Sequence, residues 1–132
     1  MMLVVDTSVL VAALVGEPDR GRLIAGTEGR DLLAPESVHW EIGNALSSLL
    51  KRKRVTMRQV ELALSAYAHI PVRFMDVELS LALDLAFKHG LYAYDAYVIA
   101  CALTQKVPLL TLDKGLTRAA IAAGVQVQEL QS

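Results

Sequence analysis

The strongest constraint on this chain is an alternation: short β-branched or Leu-rich runs are separated by longer stretches with helical period along its whole length. Parallel strands need crossover connections, and the helices that supply them cover the sheet faces, so the alternation predicts an α/β domain with a central parallel sheet. Five strands are expected, at Leu3–Asp6, Leu32–Ala34, Val72–Met75, Leu109–Leu112 and, at an edge, Val125–Val127. Helices are expected at Val9–Val15, Arg20–Ala25, Ser37–Leu50, Thr56 to about Ile70, Glu78–Lys88, Asp95 to about Gln105, and Leu116–Ala123. Their boundaries come from punctuation: a turn at Gly16–Asp19, Thr56 and Asp76 as N-caps, Pro71 as a stop, and Gly90 and Gly124 past helix ends. Val38, Ile42, Ala45 and Leu49 form one stripe of the Ser37–Leu50 helix, which ends in Lys51-Arg52-Lys53-Arg54.

Residues 1–132 read as a single domain, since 132 residues suit one core and no linker, repeat or low-complexity tract interrupts them. An apolar content of 54% argues against disorder, and the longest unbroken apolar run, Ala96–Leu103, is too short to span a membrane. No secretory signal is evident at Met1–Asp6, and Cys101 stands alone, so a reducing cytoplasm is expected. A net charge of −1 excludes nucleic-acid binding by bulk positive charge and leaves the question to local patches. Lys51–Arg54 is one such patch, although cations at a helix end also suit the helix dipole.

In open parallel sheets, sites form beyond the carboxyl ends of the strands. Asp6 ends the first strand and Asp113 the fourth, Thr111 shares the Asp113 face, Glu41 lies in the second turn after strand two, and Asp95 opens the apolar helix before strand four. Four carboxylates converging at one edge repel one another and need a cation. Oxygen ligands without Cys or His select Mg²⁺, with Mn²⁺ as a second choice, and such an ion polarises a phosphodiester and lowers the pKa of a bound water. Each acid also has an ordinary reading: Asp6, Asp95 and Asp113 as helix-terminal acids, and Glu36 as the rival to Glu41. Glu41 is preferred because it borders the apolar stripe, whereas Glu36 follows Pro35 in a first turn. Thr7, Ser8, Asn44 and Thr111 are candidate supports, able to hydrogen-bond carboxylates or phosphate. His39, about 200° around the helix from Glu41, is excluded, and Cys101 reads as a buried inert thiol.

Val4-Val5-Asp6-Thr7-Ser8, Pro35 to Glu41 with Asn44-Ala45-Leu46, Tyr94-Asp95-Ala96 and Leu110-Thr111-Leu112-Asp113 resemble, in order and spacing, the four acidic motifs of PIN-domain ribonucleases, most of all the VapC-type toxins of prokaryotic toxin-antitoxin pairs. The resemblance implies a PIN-like three-layer fold, Mg²⁺-dependent RNA cleavage by Asp6, Glu41, Asp95 and Asp113, a homodimer and an inhibitory antitoxin. Two alternatives remain: an inactive PIN-like protein-binding module, and an aspartyl-nucleophile phosphotransferase, which would usually carry an acid where Ser8 stands. For partner contacts, the helices Ser37–Leu50 and Thr56–Ile70 offer Trp40, Leu50, Val60, Leu64 and Tyr67, with Trp40 as the anchor candidate.

Overall fold

A computed structural model describes residues 1–16 and 18–130; Glu17, inside the turn expected at Gly16–Asp19, lies outside them. The elements are β1 (Met2–Val5), α1 (Thr7–Val15), α2 (Arg20–Thr27), β2 (Asp31–Pro35), α3 (Ser37–Lys51), α4 (Met57–Tyr67), β3 (Val72–Met75), α5 (Leu79–His89), α6 (Ala93–Gln105), β4 (Leu109–Leu110) and α7 (Lys114–Ala122). The sheet order is β3-β2-β1-β4 and every pairing is parallel. Residues Leu3, Val4, Val5, Leu33, Ala34, Leu109 and Leu110 are fully buried, as strands covered on both faces should be.

The chain steps from β1 to β2 to β3 in one direction and then returns past β1 to β4. Right-handed crossovers then put α1 to α4 on one face and α5 and α6 on the other. Contacts agree: α1 packs on α2, α3 and α4, while α6 packs on β1 and β2 and carries α5 outside it. The reversal falls between β1 and β4, which makes their carboxyl ends the switch point of the sheet.

Several expected boundaries shift for local reasons. The fifth strand is reduced to one parallel bridge, Leu109 to Val127, with Leu109 N donating to Gln126 O at 2.9 Å and Gln128 N to Leu109 O at 2.8 Å. β4 is itself only two residues long, so the edge has little to pair with. It stops at Leu110 rather than Leu112 because the next backbone N–H groups turn to side chains: Leu112 N donates to Ser8 Oγ at 3.0 Å and Asp113 N to Thr111 Oγ1 at 3.0 Å. Thr56 does cap α4, through a reciprocal pair with Gln59, but the helix ends at Tyr67, before Ile70. Asp76 does not cap α5; Glu78 stands there, with no side-chain cap bond. Asp95 does not open α6 but lies in its first turn, behind Tyr92.

The partner-facing residues also sort differently. Val60 is buried, and Leu50 and Tyr67 pack partly against the core, so of that set only Trp40, at 77% exposure, and Leu64 stand out into solvent. Sequence reasoning missed a stripe on α5, where Leu79, Leu83 and Phe87 recur every four residues and are all exposed, Phe87 at 89%. Cys101 is buried in α6, and burial pushes its thiol up to about 11, where it is inert. No described helix is long and apolar enough to cross a membrane.

Candidate active site

Asp6 is the first residue after β1 and the N-cap of α1, where its Oδ1 accepts from Val9 N at 3.3 Å. Capping is therefore one of its roles, but its burial, at 6% exposure, exceeds what capping requires. The register that pairs Val5 with Leu110 sets Asp6 opposite Thr111, and Thr111 Oγ1 donates to Asp6 Oδ2 at 2.7 Å. Ser8 Oγ donates to Asp6 Oδ1 at 2.7 Å while accepting from Leu112 N. Two hydroxyls and one amide, from the first turn of α1 and from the residue that follows β4, thus fix the plane of the carboxylate. Burial nevertheless holds the Asp6 pKa above the ordinary aspartate range, against these three hydrogen bonds, with the Asp113 charge adding a smaller push in the same direction.

Glu41 projects from the second turn of α3, one helical turn beyond Ser37. Burial raises its pKa, and the charges of Asp6 and Asp95 raise it further. The Thr7 and Ser37 hydroxyls lie close enough to Glu41 to oppose that rise, yet neither makes a hydrogen bond of normal geometry. Thr7 Oγ1, Ser37 Oγ and Glu41 Oε2 are all buried and without a partner among the described residues. Such a group of orphaned oxygens is costly and demands a ligand or water. Burial also raises the Asp95 pKa, followed by the charge of Asp113. Asp113 is exposed, caps α7 by accepting from Leu116 N at 3.0 Å, and is tied to Thr111 through its backbone N–H.

The structure therefore links the four acids by charge in pairs, Asp6 with Glu41 and Asp113, and Asp95 with Glu41 and Asp113, with Thr7, Ser8 and Thr111 beside them. Asn44 is not brought in: its side chain is exposed and bonds to no Glu41 oxygen among the described residues. Glu36 is exposed as well. Ser37, which sequence reasoning passed over, could have been found from its i, i+4 spacing to Glu41. Lys51 lies ten residues along α3 from Glu41, about 15 Å at helical rise, so the basic run does not reach the acids.

Among the described residues, no three His, Cys, Asp or Glu side chains are close enough to form a ready-made metal cage. The donor set still fits Mg²⁺, which keeps several waters and takes only one or two direct carboxylates, and Glu41 Oε2 is a buried carboxylate oxygen with no protein partner. Asp6, by contrast, offers oxygens already oriented by hydroxyls, the usual support for a metal-binding carboxylate.

A family model for the PIN domain matches residues 3–122, and the chain belongs to the PIN-domain family. Three solved structures share the fold. PAE2754 from Pyrobaculum aerophilum is 25% identical, with a TM-score of 0.65 over 90% of this chain and 87% of that one. Mycobacterium tuberculosis VapC20, described as a sarcin-ricin loop cleaving toxin, is 19% identical, with a TM-score of 0.65 over 96% of this chain and 99% of that one. VapBC2 from Rickettsia felis, solved bound to a DNA fragment from their promoter, is 13% identical, with a TM-score of 0.69 over 99% and 100%. No curated protein sequence matches this chain.

Proposed function

We propose that this chain is a metal-dependent endoribonuclease and the toxin of a toxin-antitoxin pair, with Mg²⁺ or Mn²⁺ held by Asp6, Glu41, Asp95 and Asp113. The observation that carries the reading is the buried, partnerless Glu41 Oε2 in electrostatic contact with Asp6 and Asp95 at the switch point of the sheet. Membership of the PIN-domain family and the fold shared with a protein described as a cleaving toxin support it. When bound, the ion would polarise the scissile phosphodiester and lower the pKa of a water it carries. Asp6, locked by Thr111 and Ser8, is the fixed point of the site. Glu41 offers a free oxygen that can accept a cation or a proton. Ser8 is occupied as donor to Asp6 and acceptor from Leu112 N, so it serves orientation rather than attack.

Purified protein incubated with single-stranded RNA should cleave in Mg²⁺ and stop on chelation. Asp6→Asn should retain the fold by circular dichroism and lose more than about 100-fold in rate, since it removes charge from a first ligand. Wild-type rates in that variant would sink the metal reading.

The same reading includes a homodimer and an antitoxin, and we assign their contacts to the exposed Trp40 and the α5 stripe, two of the exposed apolar surfaces. Light scattering at micromolar concentration should give a dimer. Phe87→Glu, Trp40→Ala or both should shift it toward monomer with the fold retained; a wild-type monomer would refute the dimer.

A further inference from the structure

A shallow cavity of about 180 Å³ lies along the same sheet edge, lined by Pro35 at the end of β2, Met75 at the end of β3, Ser37 and Glu36 at the start of α3, Val77, Leu79 and Tyr97. We propose that it seats one unpaired nucleobase of the RNA, beside the phosphate on which the acids act. The proposal rests on the ribonuclease reading and extends it to a residue-level determinant of which RNA is cut.

Three observations point to a base. First, the cavity adjoins the acids through Ser37, which lines it and whose buried hydroxyl lies on the Glu41 side. In the sheet register, Leu33 pairs with Val4 and Pro35 with Met75, so Pro35 stands one strand over from Asp6 and Met75 two. At ordinary strand spacing these are lateral steps of about 5 and 10 Å, the direction in which a base extends from its own phosphate. Second, the lining discriminates by charge. It holds no cation and one carboxylate, Glu36, so it repels a phosphate and admits a neutral ring. Third, the walls suit that ring. Tyr97 supplies an aromatic ring, held in a T-shaped pair with the exposed Tyr94 at 6.0 Å between centroids, and Met75, Val77 and Leu79 supply apolar contact. The exposed Glu36 carboxylate offers acceptors to base N–H groups. Stacking on an aromatic with edge contacts from a few polar groups is how proteins read splayed, single-stranded RNA.

The test compares wild type with Val77→Phe, which fills the cavity, and Tyr97→Leu, which removes the aromatic face but keeps apolar volume. Both act outside the acids, and circular dichroism confirms that at least one folds. Each protein is given a randomised single-stranded RNA pool in Mg²⁺, and the cut ends are sequenced. The expected result is a base bias at one position flanking the wild-type cut that falls at least about fivefold in the variants while total cleavage changes less. Cleavage with the same bias in wild type and variants overturns the base site and leaves the ribonuclease reading standing. Absence of cleavage by wild type removes that reading instead, and a fluorescein-labelled 12-nucleotide RNA then decides by anisotropy. Binding weakened roughly tenfold by the variants retains the base site; no binding, or binding the variants leave unchanged, overturns it. A loss confined to association with a protein partner, with RNA behaviour intact, assigns the cavity to that partner and also overturns the proposal.

Discussion

At the scale of single residues, the site is organised by hydroxyls more than by carboxylates. Asp6 would be a poor fixed ligand if its plane could rotate, and rotation is prevented by Thr111 across the β1–β4 register and by Ser8 in the first turn of α1. Thr111 also accepts from Asp113 N, so one hydroxyl sets the positions of two acids. Thr111→Val keeps the shape and removes both bonds. It should lower Mg²⁺ affinity and cleavage by about 10- to 100-fold with little loss of secondary structure, and Thr111→Ser should restore most of the deficit. Calorimetric titration of Mg²⁺ alongside the cleavage rate checks this; full affinity in the valine variant would show that Asp6 needs no such orientation. The same logic separates the two glutamates. Glu41→Gln should impair both Mg²⁺ binding and cleavage, whereas Glu36→Gln should leave Mg²⁺ affinity unchanged and cost about 0.3 kcal/mol of helix stability. The reverse pattern would transfer the role to Glu36.

At the scale of elements, the sequence made the parallel sheet, its first three strands and the position of every helix readable, because the buried β1 and β2 appear as apolar runs, the edge strand β3 as a short run behind Pro71, and Gly, Pro and Thr mark the ends. The carboxyl-edge placement of Asp6, Glu41, Asp95 and Asp113 was readable for the same reason: each follows from which end of an element its residue occupies. Legibility failed where side chains compete with the backbone ladder. β4 stops early because Ser8 and Thr111 capture the amides that would have continued it, and the fifth strand shrinks with it. Exposure was also hidden. Val60 and Leu64 are both apolar residues on α4, and only the position of α1 beside it decides that the first is buried and the second is not. Conversely, the Leu79, Leu83 and Phe87 stripe reads as core until α6 is seen to take the inner place and leave the outer face of α5 open.

At the scale of the whole molecule, the crowded acids should make the metal-free protein pay for its site in stability. Burial and mutual repulsion raise the pKa values of Asp6, Glu41 and Asp95, so the native state holds protons that the unfolded chain has released. The sign follows. Their contribution is fully present below the unfolded values of 3.8 for aspartate and 4.5 for glutamate, and it is lost as pH rises through the higher native values. At neutral pH the three charges oppose folding, and replacing one relieves the others. In chelator, Asp95→Asn should therefore melt higher than wild type at pH 7, and the difference should shrink as pH falls toward 4. Mg²⁺ binds only the folded arrangement, so it should reverse the ordering: at about 100 times its dissociation constant it stabilises wild type by about 2.7 kcal/mol, and the Asn variant, short of one ligand, by less. Thermal melts of both proteins across pH 4–8, with chelator and with Mg²⁺, measure the whole pattern. A variant that melts lower than wild type in chelator at pH 7 would show that the acids are not crowded in the folded chain; an ordering unchanged by Mg²⁺ would show that Asp95 does not help to hold the ion.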